Sequence, residues 1–312
     1  MNVAVSVLQA ALLLLLAPLL RGVIARIKAR LQNRQGASIL RPYQELLKLF
    51  RKEDLTPTTA SALFRMAPVV VFAATVAASL FIPVLHDLVL LSLGGDIFLV
   101  IYLLAMSRFF LMLGAMDGGS AFGGMGASRE ALVSTLAEAP LLLGLTSVAI
   151  VSRATSVSGA VHWTLQQDIS QFSAVHALAL ATLVIVAIAE TGRIPVDNPT
   201  AHLELTMIHE AMILEYSGPG LALIEWASAL KLTLISTLLI GLFFPWGMAL
   251  SDSLFTITMA LLGFVAKLAI VGFTIALVES GIAKLRMYLV PDFLGVASAL
   301  ALLAIVFAGM AR

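Results

Sequence analysis

Apolar runs of about 20 residues, long enough to cross a bilayer core as helices, recur along the whole chain. Eight of them span roughly 3 to 25, 62 to 85, 95 to 116, 129 to 152, 172 to 190, 220 to 245, 256 to 281 and 292 to 311. Turn formers fall in or beside the connections: Pro57, Pro83, Gly94-Gly95, the glycine-rich stretch from Gly118 to Gly126, Pro195, Pro199, Gly218-Pro219-Gly220 and Pro291. The first run lacks a basic leader and a small-residue cleavage site, and Arg21, Arg26, Lys28 and Arg30 follow it. It therefore reads as a retained first helix and not as a signal peptide.

Composition agrees with the pattern. Of 312 residues 60% are hydrophobic and 12% charged, and the mean hydropathy is +1.03. That leaves too little polar material for a water-facing surface, so the predicted class is all-α, a polytopic membrane protein read as one integral domain over 1–312. Charge places it further: 19 basic and 18 acidic residues nearly cancel, which gives no field for nucleic acid. The first connection, about 26 to 61, carries Arg26, Lys28, Arg30, Arg34, Arg41 and Lys48, while those near 86 to 94 and 246 to 255 carry no Lys or Arg. By the positive-inside rule this loop and the one at about 191 to 219 face the cytoplasm, and both termini lie outside. The absence of cysteine excludes thiolate-held iron-sulfur, nickel-iron or zinc centres in this chain.

Arg108, Glu138, Lys231 and Lys267 fall well inside the predicted spans. Left unpaired in lipid, the four would cost on the order of 10–14 kcal/mol on the insertion scale, so they must face an interior. Asp117, Glu190, Glu225 and Glu279 lie nearer the cytoplasmic ends. Glu225 and Lys231 point to different faces of one helix, and Lys267 and Glu279 are about 18 Å apart along another, so partners must come from other helices. Two readings remain: structural ion pairs that clamp helices, or a proton or ion relay whose acids are tuned by neighbouring charge. Glu138, near mid-span and two residues before Pro140, is the leading candidate for an intramembrane proton carrier.

The segment from Glu190 to Gly220 is the richest in chemistry. Pro195 and Pro199 hold its start extended, and a helix is predicted over about Thr200 to Tyr216. On it Glu204 and Glu215 would share a face about 16 Å apart, with Asp197 before them and Glu210 between. His202 and His209 also share a face, but they would lie about 10 Å apart without a third ligand, which argues against a metal. In the first loop Pro42, Tyr43 and Leu46 to Phe50 suit a short amphipathic surface helix.

These residues resemble a known family. Ile194-Pro195-Val196-Asp197, then Glu204, Glu210 and Glu215-Tyr216-Ser217-Gly218, together with Gln35-Gly36, Pro42, Leu46, Lys48 and Lys52-Glu53-Asp54, are similar to the quinone-module membrane subunit of respiratory complex I. Other segments resemble more closely the homologous subunit of energy-converting nickel-iron hydrogenases, including formate hydrogenlyase. They are Gly126 to Ala131 with Glu138, Asp197 to Thr200 with His202 to Thr206, Glu279-Ser280, Ala283 to Arg286 and Pro291 to Gly295. Val196, His202 and Asn33-Arg34-Gln35-Gly36 depart from the complex I pattern and weigh against a quinone chamber.

The resemblance implies a membrane-anchoring and coupling subunit in the cytoplasmic membrane of a prokaryote. It would dock a peripheral redox arm and pass its signal to antiporter-like membrane subunits that move protons or sodium. Nickel-iron and iron-sulfur centres would belong to hydrogenase-like large and small subunits and an iron-sulfur subunit. The alternative is the quinone-binding subunit of an NADH:quinone oxidoreductase; a stand-alone cation transporter comes third, since the halves show no inverted repeat.

Overall fold

The computed structural model describes residues 2–86, 94–167, 173–197, 207–249 and 253–310, and among them it is entirely helical and turn. In chain order the helices are α1 (Asn2–Leu31), α2 (Arg41–Phe50), α3 (Ala62–Ser79), α4 (Asp96–Asp117), α5 (Ala121–Ser152), α6 (Val157–Leu165), α7 (Ala174–Glu190), α8 (His209–Ile213), α9 (Gly218–Phe243), α10 (Leu254–Gly281) and α11 (Val290–Met310). Seven are long and apolar enough to cross a membrane; α7, of 17 residues, occupies the place of the remaining predicted span.

Two boundaries differ from the sequence reading, for physical reasons. The glycine-rich stretch after Gly118 is not a connection beyond Ser120: that residue caps α5 by accepting the Gly123 N–H, and the helix starts at Ala121. Gly126 serves close packing, since a Cβ there would crowd the Ile208 carbonyl and the Ala211 and Met212 side chains of α8. Helix α1 likewise continues past residue 25 to Leu31, so Arg26, Lys28 and Arg30 project from its last turns and not from a loop.

The predicted helix from Thr200 to Tyr216 is also corrected. Residues 198–206, with His202 and Glu204, lie outside the described ones, and beyond them the chain is helical only over His209–Ile213. Met212, Ile213 and Tyr216 are buried, and Tyr216 stacks on Phe64 at 4.1 Å. Seating these side chains turns the backbone at Leu214-Glu215, so Glu215 lies outside the helix, while Glu204, its expected partner on one face, is outside the described residues.

Helix α9 is the most buried span and the centre of the bundle. It packs on α1 and α3; α4 lies beyond α3, then α5 with α7 and α11, while α10 closes the opposite side against α1. At one end the loops are fastened together: Leu55 N–H donates to the Ser217 hydroxyl, which donates back to the Leu55 carbonyl. Gly218 makes this contact possible, because its φ is +50° and a Cβ there would meet the Glu53 carbonyl carbon and oxygen. Pro18 removes one hydrogen bond inside α1, and the Leu14 carbonyl it frees accepts from the Trp226 indole N–H at 3.1 Å. Tyr43 of α2 donates to the next carbonyl, Leu15, which pins the surface helix to the same kink.

A polar cavity enclosed by the spans

Where α4, α5, α7 and α9 converge with the loop before α8, they enclose a cavity of about 100 Å³. Its lining carries four cations, Arg21, Arg108, Arg193 and Lys231, and four acids, Glu130, Glu190, Asp197 and Glu210, with His209 beside them. Among the described residues the opposite charges are equal in number and come from several helices and the loop after α7, which makes such burial affordable.

Three carboxylates form the framework. Glu190, at the last position of α7, accepts Arg108 on one oxygen at 2.5 Å and Lys231 on the other at 3.0 Å. Glu279 of α10 takes Lys28 at 3.1 Å and Arg193 at 3.0 Å. Asp197 accepts Lys284 at 2.7 Å and the His209 backbone N–H at 3.2 Å. A fourth pair, Arg21 with Glu225, stands at the edge: Arg21 lines this cavity and also a larger one of about 320 Å³ under α2. The Arg21–Glu225 pair thus separates the two spaces.

Glu130 differs from these acids. It lines the cavity near Arg108 and Lys231, whose charges it feels, yet it makes no hydrogen bond or ion pair among the described residues. A carboxyl in that position can hold or release a proton without breaking a direct pair.

The sequence-predicted residues divide accordingly. Arg108, Glu190, Lys231, Asp197, His209 and Glu210 line the cavity, and Glu225 and Glu279 bind cations that line it. Glu138 does not line it: it is half-buried on α5 and reaches Arg108 only through longer-range charge. Asp117 is elsewhere, accepting the Ser61 hydroxyl and the Ser61 and Phe64 N–H groups at the start of α3. Lys267 is elsewhere too, donating to the Phe244 and Trp246 carbonyls past the end of α9. Its ammonium offsets the negative end of a helix and joins no acid among the described residues. Glu215 packs against Gly118. Arg21, Glu130, Arg193 and Lys284 were not singled out as relay residues in the sequence.

Electrostatics outside the spans favours a neutral His209. Burial lowers the imidazole's proton affinity, Glu225 raises it, and Arg21 lowers it again. Its Nε2 is enclosed without a hydrogen-bond partner among the described residues. Burial also pushes the Tyr216 phenol up, helped by the Asp117 charge, so it stays protonated.

Of the basic loop residues, Arg30, Arg34, Arg41 and Lys48 are exposed and Arg26 is half-buried. Arg41 pairs with Glu45 one turn on, at 2.9 Å. Lys28 is turned inward to Glu279 and is no part of the open basic surface.

The family model described as NADH dehydrogenase matches residues 3–309. Formate hydrogenlyase subunit 4 of Escherichia coli (strain K12) is 34% identical over 295 residues, covering 93% of this chain and 94% of its own. Hydrogenase-4 component C of the same organism is 33% identical over 299 residues, covering 96% and 93%. Among solved structures, a chain of the membrane-bound sulfane sulfur reductase, an archaeal respiratory membrane complex, superposes with a TM-score of 0.82. At 24% identity, and with 97% and 99% of the two chains covered, it shows the shared fold.

Proposed function

The chain belongs to the NADH dehydrogenase family, and on that premise we propose that it anchors and couples a membrane-bound, formate hydrogenlyase-like hydrogenase complex in a prokaryotic cytoplasmic membrane. The loops fastened together through Ser217 and Leu55, with the basic residues Arg34, Arg41 and Lys48, form the cytoplasmic docking face for a peripheral redox arm. Large and small hydrogenase-like subunits and an iron-sulfur subunit there carry the nickel-iron and iron-sulfur centres. Antiporter-like subunits in the membrane move protons or sodium.

One observation carries the coupling role: Glu130 lines the cavity within range of the Arg108 and Lys231 charges and has no direct partner among the described residues. A change of charge in the docked arm shifts the field over that cavity through the loop bearing Asp197, His209 and Glu210. Proton occupancy of Glu130 then follows the positions of Arg108 and Lys231, since nearby cations favour the ionised carboxyl and burial disfavours it. Glu190 holds those cations in place, and Glu225 and Glu279 hold Arg21 and Arg193.

The test is to purify a tagged chain from its native membrane in mild detergent and identify what accompanies it. A nickel-iron large subunit that retains four nickel-binding cysteines, with hydrogen evolution by the preparation, supports the proposal. A large subunit lacking those cysteines, with quinone-dependent turnover, supports the complex I reading instead. The cavity under α2 gives that second reading its one structural foothold, being about 320 Å³ and lined by Pro42, Leu46 and Leu49.

A further inference from the structure

Helix α10 packs chiefly on α1, and α7 packs on α5 and α11, which leaves a cleft of about 180 Å³ between α7, α9 and α10. Leu180, Val184, Ile188, Ile235, Leu239 and Ile275 make its walls apolar. Helix α10, which forms one wall, is the least buried of the spans, so the cleft lies at the lipid-facing side of the bundle. An apolar slot of this kind gives water too few polar partners to be held.

One end of the cleft is chemically different. Arg193 lines it there, donating one guanidinium nitrogen to Glu279, and Lys28 donates to the other oxygen of that carboxylate. Two cations on one acid leave an excess of one positive charge at the rim. Along α7 the slot runs about 15 Å from Leu180 to the helix end at Glu190, with Arg193 in the turn that follows, against about 15 Å for half of the bilayer core.

We propose that this cleft is a phospholipid site in the cytoplasmic leaflet, with one acyl chain in the slot between α7, α9 and α10 and the phosphate at Arg193 and Lys28. The apolar length matches a single extended chain, and the rim matches one anionic headgroup. A lipid seated there stiffens the loose contact between α10 and the rest of the bundle, next to the Glu279 cluster.

The test uses the whole complex in nanodiscs doped with phosphatidylglycerol that carries a photoactivatable diazirine at the end of one acyl chain. Labelling is expected on Leu180 to Ile188 and on Ile235 to Leu239, and it should fall several-fold in Ile275→Trp and, independently, in Leu239→Phe. Labelling of Phe273 and Leu277 should be unchanged in both, which shows that the variants still fold and meet lipid. A diacylglycerol probe with the same chains should label the cleft less. Equal labelling in filled and unfilled cleft, or labelling spread evenly over α10 and α11, overturns the site. Equal labelling by diacylglycerol overturns the headgroup assignment, and preferential labelling by an isoprenoid quinone probe overturns the phospholipid.

Discussion

The Lys231 ammonium lies 3.0 Å from the Glu190 carboxylate, and the opposite oxygen of that carboxylate holds Arg108. A single acid at the end of α7 therefore ties α4 and α9 together. Replacing Glu190 by Gln leaves two buried cations uncompensated, which costs about 3–5 kcal/mol. Less intact complex and a lower thermal midpoint in detergent are expected, with partial recovery on adding Lys231→Met. Wild-type thermal stability in Glu190→Gln would show that the pair does not hold the bundle.

The loop at α8 should loosen in mild acid. Because burial lowers the His209 imidazole from the ordinary value of 6.5, the unfolded loop takes up protons that the folded loop refuses. Its stability is thus complete above about pH 6.5 and is lost as pH falls through the lowered value. Protection factors over residues 207–217, corrected for the intrinsic pH dependence of amide exchange, should fall on acidification, and His209→Gln should flatten that response. Protection factors independent of pH in the wild type contradict the assignment.

Charge reversal at Arg34 and Arg41 should release the peripheral arm during mild purification. Both side chains are exposed, so the substitutions should leave the fold intact. Retention of the arm in the double variant at low salt, where surface charge matters most, would remove the docking role.

Lys267→Met should leave electron turnover and ion pumping unchanged. Its cost is confined to the Phe244 and Trp246 carbonyls it serves, and local exchange around residues 240–249 reports it. A loss of pumping would return Lys267 to the ion path.

These residues also show what the sequence could disclose. Hydropathy counts the cost of a charge along a span, so Arg108 and Lys231 stood out and do sit inside. The same count flagged Lys267, because it registers depth and not whether a long side chain reaches carbonyls at a helix end. Depth also favoured Glu138, but the cavity is set by the direction in which α5 faces. Glu130 lies eight residues earlier, about 80° around that helix, and only packing decides which of the two looks inward. Arg21 and Glu130 escaped notice because α1 runs later and α5 starts earlier than apolar runs suggest; the glycines near Glu130 pack helices where they seemed to mark a loop. The Tyr216-Ser217-Gly218 motif was legible as a signature, whereas its partners Phe64, Leu55 and Glu53 are more than 150 residues away in the chain.

The most direct test compares Glu130→Gln with Glu138→Gln in the whole complex reconstituted in sealed liposomes, recording electron turnover and the ion gradient together. Glu130→Gln should assemble and turn over electrons but build a clearly smaller gradient, while Glu138→Gln should stay close to wild type. A full gradient in Glu130→Gln, or a loss confined to Glu138→Gln, would contradict coupling through the cavity.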